Sequence, residues 1–89
     1  MLSRVKMALR ITTNAFDDEI TGLINSALGD LGLVGISQAS LNSADELVTT
    51  AVITYVKLHF GEPSDPDRLK KSYDEQKAQL ITATGYGLG

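Results

Sequence analysis

Three consecutive carboxylates, Asp17, Asp18 and Glu19, and a single histidine, His59, are the side chains in this 89-residue chain best suited to metal binding or proton transfer. A metal or acid–base site needs several such groups converging on one point. The sequence fixes no histidine and no second carboxylate group opposite the acidic cluster. The start of a helix, by contrast, uses all three carboxylates at once, beside unpaired amides and the positive end of the helix dipole. His59 falls near the end of a helical stretch, where the dipole favours it without any catalytic role. Local spacing puts neither a serine nor a carboxylate beside it, so a triad would depend on a tertiary encounter. The chain has no cysteine, which excludes a disulfide scaffold, a thiolate zinc site and a thiol nucleophile. Gly29, Gly32 and Gly35 follow a helix instead of a strand, and their spacing is neither the dinucleotide fingerprint nor a phosphate loop. No catalytic residue, metal or cofactor is expected.

Nucleic-acid and membrane chemistry are similarly thin. Eight basic and eleven acidic residues are interspersed, giving a net charge of −3 and no basic run that would track a phosphate backbone. Arg4, Lys6 and Arg10, or Arg68, Lys70 and Lys71, could touch phosphates. The helix after the main connection is too apolar to read bases, which disfavours a helix-turn-helix. The stretch Ser43 to Phe60 is apolar but carries polar residues at Thr49, Thr50, Thr54, Lys57 and His59, too many for a membrane span of near-minimal length. The amino terminus has basic residues without a long apolar region or small-residue cleavage site, so it does not read as a signal peptide. A soluble cytosolic product is the default.

The elements that must position these side chains form one small all-α domain, residues 1–89, of about four helices around the central apolar helix 43–60. Ser3 can cap a short first helix, with Leu2, Val5, Met7, Ala8 and Leu9 on its apolar side. Asn14 caps a second helix from about Ala15 to Leu31, in which Ile20, Leu23, Ile24, Ala27, Leu28 and Leu31 recur at three-and-four spacing. Gly22 inside it costs roughly 1 kcal/mol against alanine unless a second backbone approaches there. Ile36 and Leu41 are expected to tuck inward from the connection 35–42. Ser43 with Glu46 forms a capping box for the central helix, and Gly61 and Pro63 end it. Thr50, Thr54 and Lys57 are expected to mark its one solvent-facing stripe. Asp65 and Pro66 open a last helix with Leu69, Tyr73, Gln76, Leu80 and Ile81 on its inner face and an Asp67–Lys71 pair outside. Residues 85–89 form a flexible glycine-rich tail.

The aromatics divide by place. Tyr55 belongs to the core, and Tyr73 bridges core and surface with its hydroxyl outward. Tyr86 and Leu88 stand in the glycine tail, where they suit either an untethered terminus or small anchors that order against a partner.

In their order, the segments VKMALRITTNAFDDEITGLINSALGDL, DELVTTAVITYVKLHFG and DPDRLKKSYDEQKAQL resemble the small head–tail connector, or head completion, proteins of tailed bacteriophages, often grouped with DNA-packaging proteins. The resemblance rests on Val5, Lys6, Leu9, Arg10 and Ile11, then Asp17, Asp18, Ile20 and Ile24. It continues through Ala51, Tyr55 and Phe60 to Tyr73 and Leu80. The segment 33–41 departs from it, lacking the aromatic, arginine-containing turn of many relatives. The resemblance implies a non-enzymatic virion adaptor that forms a homo-oligomeric ring beneath the portal protein and meets a stopper or tail-completion protein. DNA would pass non-specifically through its channel. The protein would sit at the head–tail interface, after a period in the host cytoplasm during assembly. Tyr86 and Leu88 become candidate portal contacts, and Asp17, Asp18, Asn25, Arg68, Lys71 and Glu75 candidate lateral contacts. The alternative class is a small helical regulatory protein that binds DNA or another protein.

Overall fold

A computed structural model of the protein describes residues 1–37, 41 and 45–82. Among the described residues the bounded helices are, in chain order, α1 (Leu2–Leu9), α2 (Asp17–Leu33), α3 (Glu46–His59) and α4 (Pro66–Thr82). The third is central, as its apolar breadth requires. It packs most extensively against α4, next against α2, and also against α1. Val48, Ala51, Val52 and Val56 of α3 are fully enclosed among Ile20, Ala27 and Leu31 of α2, Val5 of α1 and Leu80 of α4. The small residues at positions 27 and 51 let helix axes come close while branched side chains fill the space between them.

α1 and α2 end on the same motif with different residues. At the end of α2 the Ile36 N–H donates to the Leu31 carbonyl at 3.1 Å and the Gly35 N–H to the Gly32 carbonyl at 3.1 Å. Gly35 takes φ +99°, and Ile36 and Leu31 are both buried across the turn. This is a Schellman termination with its apolar contact. At the end of α1 the Ile11 N–H reaches the Lys6 carbonyl at 2.9 Å and the Arg10 N–H the Met7 carbonyl at 3.1 Å. Arg10 takes the left-handed position there, at φ 59°. The chain turns on geometry that costs an L side chain roughly 1 kcal/mol or more.

The helix starts differ from the expected caps. Met1 precedes α1 and Phe16 precedes α2, and neither makes a side-chain cap hydrogen bond, so Ser3 and Asn14 do not serve as caps. Asn14 Oδ1 instead accepts from Lys6 Nζ at 2.9 Å. α3 begins at Glu46 with Asp45 as its cap, the carboxylate accepting the Leu47 N–H at 3.0 Å. The expected capping box fails because the cap lies two residues later than Ser43, which itself falls outside the described residues. Asp65 caps α4 as expected, accepting the Arg68 N–H at 3.2 Å. Gly61, at φ 67°, follows the end of α3.

Ile36 and Leu41 are buried, Leu41 lying over Gly32, where a Cβ would meet its Cδ1 at 3.7 Å. Met7 and Ile81, expected on inner faces, point out instead, at 76 % and 47 % exposure, and Leu47 at the start of the apolar central helix is 42 % exposed. Each lies near a helix end on the face turned away from the core, next to covered residues such as Val48 and Leu80. Thr49 and Thr54 are buried, so the anticipated stripe keeps only Thr50 and Lys57 outside. Thr54 is accommodated because its hydroxyl donates back to the Thr50 carbonyl at 3.0 Å, leaving its methyl for packing. No second backbone approaches Gly22, beside which there is open space. Asp67 and Lys71 form no ion pair. The cationic contact on α4 comes from Lys77, 3.8 Å from Asp74.

Candidate functional site

Charged groups on α1 and α2 are partly committed within the chain. Arg4 grips Glu46 through two nitrogens, the second contact at 3.1 Å, tying α1 to the start of α3. The guanidinium holds the Glu46 carboxyl below its usual range, while both groups stay in solvent. Lys6, whose side chain is only 14 % exposed, lies 2.7 Å from Asp17 Oδ1 and fixes α1 against the first turn of α2. Asp17 is therefore already engaged. Asp18 and Glu19 beside it are exposed and take part in no ion pair among the described residues, and Asn25 is exposed two turns later.

Between α2 and α4 sits a polar clasp. The two helices hardly touch along their backbones, yet Tyr73 Oη donates to Asp30 Oδ2 at 2.6 Å and Lys77 Nζ to the same oxygen at 3.3 Å. The ammonium also stands over the Tyr73 ring, 4.8 Å from its centroid. The tyrosine hydrogen bond, with help from Lys77 and against partial burial, lowers the Asp30 carboxyl below its ordinary value. Burial and the adjacent carboxylate push the Tyr73 phenol far upward, so it remains a donor. Tyr73 was expected to turn its hydroxyl outward, but the ring is 4 % exposed and the hydroxyl is held by Asp30. Tyr55 is partly buried between the Tyr73 ring at 5.3 Å and His59 at 4.3 Å. His59 is exposed, packed on a tyrosine and set in no nucleophile–base arrangement.

A groove of about 310 Å³ opens where α3, the α3–α4 connection and α4 meet. Lys57 and Arg68 supply two cations along it, Ser64 and Ser72 two hydroxyls, and Gln76 an Oε1 that is buried without a hydrogen-bond partner. Asp65 adds one carboxylate, already occupied in capping α4. Neither cation makes an ion pair with any described residue. Periodicity pointed to Arg68 through the α4 surface but missed the groove, because Lys57 and Arg68 come together only when the connection folds back. The wide spacing of polar residues on α3 was the available signal.

The remaining candidate residues, Lys71 and Glu75, are exposed on α4. Tyr86 and Leu88, the candidate portal contacts, lie outside the described residues, as does the tail 85–89. Phe16, 43 % exposed, meets Phe60 edge to face at 5.5 Å and so brings the start of α2 beside the end of α3. Leu33 is the most exposed of the large apolar side chains, at 87 %. Among the described residues no group of three histidine, cysteine, aspartate or glutamate side chains could hold a metal ion. No described helix is long and apolar enough to cross a membrane.

No curated protein and no solved structure matches the chain significantly. The family model described as "Phage connector protein" matches residues 1–87, nearly the whole chain. On that match the chain belongs to the phage connector protein family and is a structural head–tail adaptor, not an enzyme.

Proposed function

We propose that this adaptor assembles as a homo-oligomeric ring beneath the portal of the DNA-filled head and receives the stopper or tail-completion protein on its far side. Connector membership implies association with portal or tail components and a place in the virion. The finer position, at the head–tail interface after assembly in the host cytoplasm, is part of the proposal. The observation that carries it is the family match over residues 1–87. It is supported by a covered core and by exposed charges on α2 and α4, Asp18, Glu19, Arg68, Lys71 and Glu75 among them, that make no ion pair with a described residue. Lateral contacts run from Asp18 and Asn25 on α2 to Arg68, Lys71 and Glu75 on α4, with Asp17 contributing indirectly because Lys6 already holds it. A contact between unlike faces is heterologous and closes into a ring when the rotation between copies divides a full turn. Tyr86 and Leu88 are the proposed portal anchors. DNA passes through the channel without a sequence-reading element.

Native mass measurement of the full chain, alone and with purified portal, tests this reading. A discrete oligomer, formed alone or on the portal, is expected. Deletion of Gly85 to Gly89 should weaken portal docking while leaving the helical fold intact. A chain that stays monomeric with the portal present would overturn the reading.

A further inference from the structure

Three observations narrow what the α3–α4 groove takes. Its two cations, Lys57 and Arg68, are unpaired in a chain of net charge −3, so the groove is a local positive site on an acidic protein. Its hydroxyls and guanidinium present the donors that a carboxylate accepts, and arginine can grip one through two nitrogens. The same chain carries two exposed and unpaired carboxylates on successive residues, Asp18 and Glu19. These groups do not meet within one molecule.

The Phe16–Phe60 contact adds geometry. It sets the first turn of α2 beside the end of α3, and the groove opens from the last turns of that same helix. The acidic turn and the Lys57 side of the basic groove therefore lie toward the same end of the bundle. A head-to-tail contact between the two patches closes a ring when the rotation between copies divides a full turn, and otherwise generates a filament.

We propose that the groove bounded by Lys57 and Arg68 receives the Asp18 and Glu19 carboxylates of a neighbouring copy, and that this pairing is the lateral bond of the ring. The inference rests on the ring reading above and names the residues that close it. Ser64 and Ser72 complete the donor set around the incoming carboxylates, and the buried Gln76 Oε1 is left to accept from the neighbour's main chain or from water. Exposed ion pairs contribute little singly, but withdrawal from solvent and juxtaposition of like charges both raise the stakes at an interface.

The test compares the wild-type chain with K57E/R68E, with D18K/E19K and with the four-site combination, by native mass measurement alone and on the portal. All four positions are exposed, so circular dichroism should show helical folds throughout. Each double variant should lose at least about tenfold in ring fraction through like-charge repulsion, and the combination should recover it because the charges again oppose. Added salt should weaken the wild-type ring. If the wild type forms rings and K57E/R68E forms them equally well, the pairing is wrong while the ring reading stands. If the double variants form rings but fail on the portal, the groove serves the portal and the pairing is again overturned. If the double variants lose the ring and the combination does not restore it, the two patches are not partners. If the wild type forms no ring with or without portal, both fall together.

Discussion

Replacing Tyr73 by phenylalanine removes one oxygen and leaves the ring packed between α2, α3 and α4. The lost hydrogen bond runs to an ionised carboxylate at 2.6 Å, a class that contributes about 1.5–3 kcal/mol when well shielded. Here the Asp30 side chain is 34 % exposed, so water and Lys77 recover part of that, and the expected loss is about 1–2 kcal/mol. For a domain of this size that lowers the melting temperature by about 5–12 °C. The pH dependence follows from the lowered Asp30 value. A carboxyl whose folded pKa is depressed contributes stability that is present above its unfolded value, 3.8, and is lost as the pH falls through the lower folded one. The gap between wild type and Y73F should therefore be full at neutral pH and shrink below 3.8. Thermal unfolding followed by circular dichroism across that range reads both effects. A shift under about 2 °C at neutral pH would mean that the clasp does not join α2 to α4. A gap that stays constant into acid would mean that the carboxylate is not its partner.

Two further substitutions probe the backbone. Arg10→Gly should stabilise the protein by about 0.5–1 kcal/mol, since glycine relieves the left-handed cost while keeping the Schellman bonds. Gly35→Ala, at the equivalent place on α2, should instead destabilise by about 1–2 kcal/mol although no atom stands near the new Cβ. Urea titration of the pair reads the opposite signs. Gly22→Ala should add about 0.5–1 kcal/mol, because the position is helical and opens on empty space; an unchanged or lower melting temperature would contradict that placement.

What the sequence made legible were the features carried by period and composition. The three-and-four spacing of Ile20, Ile24, Ala27 and Leu31 marks the covered face of α2, and the breadth of α3 marks it as central. Asp65 before Pro66 located the start of α4 because a cap and a proline act locally. Where tertiary packing outvotes local signal, the reading failed. Thr49 and Thr54 look polar, yet a hydroxyl that bonds its own helix leaves a buried methyl. Met7, Leu47 and Ile81 look apolar and face water because they fall on the outer face of their helices, beside covered residues. Asp45 and Ser43 both suit a cap, and the chain uses the later one. Asp30, Tyr73 and Lys77 are separated by more than forty positions across α2 and α4, so no local pattern announces their meeting. The same is true of the groove, whose cations come from either side of a reversal. The six proposed lateral residues carry only a helix-surface argument in the sequence, and folding separates Asp17, held by Lys6, from the exposed remainder.

The fastening of α4 is uneven, and that has a mechanical consequence. One side is sealed along α3 by apolar packing, which resists separation in every direction. The other side meets α2 with little backbone contact, and its polar link there is the Asp30 clasp. A rod glued along one edge and latched at one point on the other has a single compliant motion, a roll about the glued edge. For α4 that roll varies the angle between the surface carrying Arg68, Lys71 and Glu75 and the one carrying Asp18 and Asn25. In the proposed ring this angle would set how many copies complete a turn, and the latch would then bear on curvature as well as on stability.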